Sequence, residues 1–207
     1  MSQITVRQAT LADAGQITAL HNANITTWTR RDVNGEPVPA DYADLSLFER
    51  WMVGGPWASV EMCAVHLANL LRGSDGIPLV AEIDGRVGAE AEVFIGREPE
   101  PFGHHINISR LAIHPQDEGA GLSSALLAYI VQMAEAIIRD KRRILPCAAY
   151  CEKEYGIGGY FVGVPCMLGR NGVEKVIEVP LSADEKAAFQ VSIDHVKELV
   201  AAAEKFM

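Results

Sequence analysis

The chain has 207 residues, with 27 acidic against 18 basic side chains and a formal net charge of −9. That surplus repels phosphate backbones and anionic lipid surfaces, so neither nucleic acid nor membrane is expected as a partner. About half the residues are apolar, enough to fill a sizeable core in one domain, or in one domain with an appendage.

Four cysteines, Cys63, Cys147, Cys151 and Cys166, make no CxxC pair and read as reduced, partly buried thiols; no metal site is expected. The opening MSQITVRQ is too polar for a signal peptide, and the apolar run from Ser124 to Ile138 is broken by Gln132 and Glu135. A cytoplasmic location is the resulting expectation.

In chain order, Ile4 to Arg7 alternates as a first strand. Thr10 and Asp13 have the spacing of a helix start, followed by Leu11, Ala14, Ile17 and Leu20 at helical intervals. Asn22 to Pro56 is irregular and rich in Trp, Arg and Pro, and reads as a surface loop with a short helix from Leu45 to Met52. Val60 to Leu71 follows as a helix with Val60, Cys63, Leu67 and Leu70/Leu71 on one face; His66 reads as a packed or surface histidine rather than a ligand.

Leu79 to Ile83 and Val87 to Ile95 flank Asp84-Gly85, a two-residue hairpin signal. Strict alternation puts Val87, Ala89, Ala91, Val93 and Ile95 on one face. Gly88, Glu90, Glu92 and Phe94 fall on the other, stacking the two acids side by side. Their plain reading is a solvated strand face; their functional reading is a general base or a holder of a cationic acceptor. Gly88 weakens a strand unless a bulge or a close approach needs it.

Ile106 to Ile113 reads as a buried strand, broken at Pro115. Gly119 and Gly121 then lead into an amphipathic helix from Gly119 to Lys141, with Leu122, Leu126, Tyr129/Ile130, Met133 and Ile137 as its core stripe. Strand, glycine loop and helix start aim free N–H groups and a helix dipole at one point, which favours a phosphate. Beyond it come a strand from Ile144 to Tyr150 and a Gly158-Gly159 turn. A hairpin of Tyr160 to Leu168 and Val173 to Val179 follows, then a last helix opened by the capping box Ser182-x-x-Glu185, with Phe189, Ile193 and Val196 inward.

Through Ile106–Leu127 the sequence resembles the coenzyme-A motif of the GNAT superfamily of acyl-CoA N-acyltransferases. The alignment runs through His114-Pro115 and Ser124-Ala125-Leu126-Leu127, and Glu118 and Ser123 depart from the residues that superfamily uses. The resemblance, over about residues 3–130, implies an α/β (α+β) fold: a mixed, mostly antiparallel sheet flanked by helices. It implies transfer of an acyl group, chiefly acetyl, from acyl-CoA to a small-molecule or peptide amine, with a homodimer as one expected assembly. It places acetyl-CoA against Leu111, Ala112 and Ile113 and around Glu118, Gly119, Ala120, Gly121, Leu122, Ser123 and Ser124. Glu90, Glu92 or a relayed water are its candidate bases and Tyr160 a candidate acid.

From about Val131 to the end the chain resembles the C-terminal end of NAD-dependent malate dehydrogenases. The parts of that family that carry hydride transfer lie upstream of such a segment. Here no Gly-x-Gly-x-x-Gly follows the first strand and no His-Gly-Asp is present. The organisation implied is a GNAT-like acyl-CoA-binding region, 1–130, with a dehydrogenase-like segment, 131–207, completing the same domain as a hairpin and terminal helix, as a fusion or chimera. The alternatives are an inactive GNAT-like scaffold and, more remotely, a malate-dehydrogenase-related protein.

Overall fold

The computed structural model describes residues 3–72, 76–97 and 104–204. In chain order these form β1 (Ile4–Gln8), a single turn at Leu11–Asp13, α1 (Ala14–Ala23), the short strands β2 (Thr29–Arg31) and β3 (Pro37–Pro39), α2 (Leu47–Gly54) and α3 (Val60–Arg72). There follow β4 (Gly76–Ile83), β5 (Arg86–Arg97), β6 (His104–Ile113), α4 (Leu122–Ile138), β7 (Arg143–Cys151), β8 (Tyr160–Gly169), β9 (Gly172–Val176) and α5 (Ala183–Glu204).

The expected class is observed: helices flank antiparallel sheets, and a hairpin and a helix end the chain. Among the described residues the strands form a four-stranded sheet in the order β1-β4-β5-β6, the β2-β3 ribbon and a three-stranded sheet β7-β8-β9. The C-terminal strands pair with one another, and β7 meets the first sheet beside β1, where Gln8 Oε1 accepts from the Ala148 N–H at 2.6 Å. No helix among the described residues is long and apolar enough to cross a membrane.

The Asp84-Gly85 turn forms as read, with both residues at positive φ, 50° and 82°. The alternation beyond it does not hold throughout. Ala81 pairs with Ala89 but Glu82 pairs with Val87, leaving Gly88 as the extra residue of a bulge. Val87 is thereby turned to the face of β5 opposite Ala89, Ala91 and Val93 and joins Ile17, Leu20, Cys63, Leu67 and Val80 under α1 and α3. The other three pack beneath α4 with Leu122, Leu126, Tyr129, Ile130 and Met133.

Gly88 meets both conditions that justify a glycine in a strand. Its carbonyl accepts from the His114 N–H at 2.8 Å. A Cβ there would lie 2.8 Å from Leu122 Cδ1 and 3.0 Å from Asp117 Oδ2. The bulge therefore seats the end of β6 and the start of α4 against β5.

The helix α4 joins the two sheets. Its buried stripe shares one core with Leu145, Cys147, Val162, Val164 and Leu168 of the C-terminal sheet, and Tyr129 Oη donates to the Pro146 carbonyl at 2.7 Å. All four cysteines are free and buried.

Gly88→Ala is expected to cost about 1–3 kcal/mol by overpacking, a fall in Tm of roughly 2–12 °C. An unchanged melt would show that the loop yields freely. A fragment ending at Asp140 strips α4 of partners worth roughly 1.5–3 kcal/mol per fully buried aliphatic side chain, against a domain stability of about 5–15 kcal/mol. It is expected to be aggregated or molten; a soluble fragment with a cooperative melt refutes the shared core.

Candidate functional site

Glu90 and Glu92 stand on the β5 face covered by α1 and α3. The solvated face expected for them is not found: Glu90 is 0% exposed and Glu92 3%. The reason is tertiary. Helix α1 places His21 one turn beyond Ile17, and α3 places His66 between Cys63 and Leu67, so each buried carboxylate meets an imidazole instead of water. His21 Nε2 lies 3.1 Å from Glu90 Oε2, and His66 Nε2 lies 2.6 Å from Glu92 Oε1.

Trp57, from the turn before α3, ties the two pairs together. Its ring stacks on His21 at 4.5 Å and meets His66 edge-on at 5.3 Å. The guanidinium of Arg110, on β6 directly opposite Glu92, lies 4.5 Å from its ring centroid. Glu90 Oε1 has no hydrogen-bond partner.

Burial pushes the Glu90 carboxyl up to about 8, and the neighbouring Glu92 charge adds to the shift. Burial, and then the Arg110 charge, hold the His21 imidazole down to about 4. The His21–Glu90 pair is therefore uncharged between those limits, the inexpensive way to bury two titratable groups. Cys63, in the same core, is pushed up to about 12 by burial and is no nucleophile. Glu92 differs from Glu90 in that its partner is partly open to solvent, the His66 side chain being 25% exposed.

The glycine loop forms beside this cluster. Glu90 stands opposite Ala112 across the β5–β6 pair, the middle of the Leu111–Ile113 run. Among the described residues β6 is the last strand of its sheet, and the Ile113 carbonyl accepts from Asn24 Nδ2 at 2.9 Å. Gly119 and Gly121 take positive φ, 79° and 91°, and no side chain caps α4. The N–H groups of Leu122, Ser123 and Ser124 thus have no partner within their helix. A Cβ at Gly119 would meet nothing within 4 Å, and Glu118 is exposed. The helix starts at Leu122 rather than Gly119 because positive φ at Gly121 cannot continue it.

Asp117, not singled out in the sequence, is buried and accepts two hydrogen bonds from Arg86 Nη2, at 2.8 and 2.9 Å. No local signal links residues 31 positions apart. Tyr160 lies elsewhere, in a cleft of about 420 Å³ lined also by Thr10, Leu71, Arg72, Tyr150 and Val196, residues that take no part in the acid–histidine cluster. Among the described residues no group of three or more His, Cys, Asp or Glu could hold a metal ion.

Residues 113–207 match the alpha/beta C-terminal domain family of lactate/malate dehydrogenase. A malate dehydrogenase of Rhodopirellula baltica is 58% identical over 73 residues, which are 35% of this chain and 23% of that protein. The structure of the malate dehydrogenase from Aeropyrum pernix aligns at 41% identity over 36% of this chain and 25% of that one, with a TM-score of 0.35. That of a ribosomal-protein-alanine N-acetyltransferase from Brucella melitensis biovar Abortus 2308 aligns at 16% identity over 64% and 72%, with a TM-score of 0.42. The dehydrogenase likeness thus spans about a quarter of those enzymes' length. Its family match begins earlier than the resemblance read from Val131 and takes in the glycine loop.

The cluster predicts a pH dependence of stability. A carboxyl at about 8 in the fold and 4.5 unfolded keeps its proton only when folded, so its contribution falls as pH rises from 4.5 through 8. His21, lowered from 6.5 to about 4, loses its contribution as pH falls through that range. Glu90→Gln removes only the alkaline limb. Relative to the parent it should gain up to about 1.4 kcal/mol per pH unit across the Glu90 window, read as melts at pH 5, 6.5 and 8. A difference that stays flat with pH would show that Glu90 is ionised in the fold.

Proposed function

We propose that the chain transfers an acyl group, acetyl first among them, from acyl-CoA to an amine, and that residues 131–207 complete the domain that does so. One observation carries the reading: buried Glu90 of β5 lies directly across from Ala112, in the strand run that the GNAT resemblance gives to the thioester, and Glu92 follows on the same face opposite Arg110.

The residues present fit the cofactor. The open turn at Gly119–Gly121 and the free N–H groups of Leu122, Ser123 and Ser124 suit a pyrophosphate, and the outer edge of β6 at Leu111–Ile113, once Asn24 releases the Ile113 carbonyl, suits an extended amide-bearing arm. Bound there, acyl-CoA supplies an activated thioester carbonyl. Glu92 takes the proton that the amine nitrogen gives up as its lone pair attacks that carbonyl, and His66 passes it to solvent. The C–S bond breaks as the C–N bond forms, and the sulfur leaves as a thiolate that water protonates. Glu90, neutral beside His21, keeps a second negative charge away from Glu92. Tyr160 has no part in this scheme, because it faces the other cleft.

A second reading is favoured by specific observations: a scaffold of this shape without turnover. Asn24 occupies the Ile113 carbonyl, Glu118 puts a carboxylate at the loop, and the family match from residue 113 belongs to dehydrogenases.

Calorimetric titration of acetyl-CoA, with thiol release in the presence of alkyl amines, separates the readings; NADH with oxaloacetate is the dehydrogenase control and is expected to give no absorbance change. Glu92→Gln should abolish thiol release while leaving acetyl-CoA affinity within about two-fold, since the base acts on the acceptor. At about 4 Å from a phosphate, a carboxylate costs about 1 kcal/mol in water. Glu118→Gln should therefore tighten acetyl-CoA about five-fold, more at low salt. Unchanged affinity at both salts means Glu118 stays out of the site; absent binding in both proteins establishes the scaffold.

A further inference from the structure

We propose that the face of Trp57 covered by the chain's own Arg110 is a cation site for the acceptor, and that the acceptor is an amine bearing a second, permanently cationic group. This deepens the acyl-transfer reading and rests on it.

Two independent observations mark the place. The first is Arg110 itself: its guanidinium lies 4.5 Å from the ring centroid of Trp57, yet among the described residues it makes no ion pair and donates no hydrogen bond. Its side chain springs from an exposed position on β6, and beyond the ring it feels only the unbonded pull of the acids it faces. A cation on an aromatic face without a hydrogen bond or an ion pair is replaceable by another cation. The second is Glu90 Oε1, an acceptor oxygen on a side chain with no exposed surface and no donor. It belongs to the carboxyl whose other oxygen meets His21, the ring stacked on the same Trp57. A buried oxygen without a donor is costly unless an incoming N–H satisfies it. The site therefore offers a face for a charge and, one ring away, an acceptor for an N–H.

One nitrogen cannot serve both. The group on Trp57 must stay positive to be held, and the attacking nitrogen must be neutral to have a lone pair. The acceptor therefore carries two basic nitrogens, as a diamine or a guanidino-amine does. One takes the place of the Arg110 guanidinium and the other faces the acids. Arg110 is the positioning residue that keeps the ring covered until such a cation displaces it.

The test is a calorimetric titration without acyl-CoA, using agmatine (a guanidinium and a primary amine), butylamine (one cation) and butylurea (a neutral counterpart). The proteins are the parent, Arg110→Ala and Arg110→Gln, the last keeping a stem over the ring if the alanine variant melts early. Agmatine should bind both variants about five- to thirty-fold tighter than the parent, with butylurea unchanged. Equal or weaker agmatine binding in variants that melt like the parent overturns the site. Thiol release with butylamine as fast as with agmatine, once acetyl-CoA is added, overturns the need for a second cation. Thiol release is then measured with acetyl-CoA added. Tightening without release removes the acyl-transfer reading and leaves the cation site; release without tightening does the reverse.

Discussion

Strand β5 is buried on both faces, and most of the arrangement follows from that constraint. A strand in the middle of an antiparallel sheet normally spends one face on the core and the other on water. Here α4 covers the face of Ala89, Ala91 and Val93, while α1 and α3 cover the face of Glu90 and Glu92. The small side chains under α4 allow that helix to sit close, so its stripe reaches on to the C-terminal sheet. On the other face two acids are sealed in, and each needs a partner that brings hydrogen bonding without a full opposing charge. Neutral imidazole does this for Glu90, which is why the histidines occur on the inner faces of both helices.

The Gly88 bulge is the hinge of this design. Without the extra residue, Val87 would share a face with Ala89, and the core under α1 and α3 would lose an apolar member beside Val80. The same residue lets Leu122 and Asp117 approach the strand. The side taken by Val87 and the approach of the glycine loop are thus set by one backbone irregularity. Arg86 fastens the arrangement from the hairpin turn by its bonds to Asp117.

Helix α4 serves both sheets. Its first turn belongs to the glycine loop, its middle packs on the first sheet, and Tyr129 and Met133 pack on strands of the dehydrogenase-like segment. An apolar stripe asks only for volume and the right period from what it covers. Any segment can therefore cover the far end of the helix, provided it brings a sheet with an apolar face. Residues 143–176 bring one, alternating Leu145, Cys147, Ala149 and Cys151 inward along β7.

Where a signal is local, the sequence determined the outcome. The Asp84-Gly85 turn, the α4 stripe from Leu122 to Ile137, the capping box at Ser182 and the strand–glycine–helix order around Gly119 rest on residues a few positions apart, whose conformational preferences act whatever surrounds them. The turn that leads into α1 is of the same kind, with Asp13 accepting from the Thr10 N–H. What the tertiary structure alone decided is the environment of the acids. Alternation placed Glu90 and Glu92 together on one face but could not say what covers it, because solvent and a pair of helices leave the same period-two pattern on the strand. His21 and His66 carried a faint mark, since each continues the apolar stripe of its helix. The convergence of Glu90, His21, Trp57, His66, Glu92 and Arg110 joins five segments from residue 21 to residue 110. Only long-range packing brings them together, and the burial it imposes is what moves the Glu90 carboxyl out of its ordinary range.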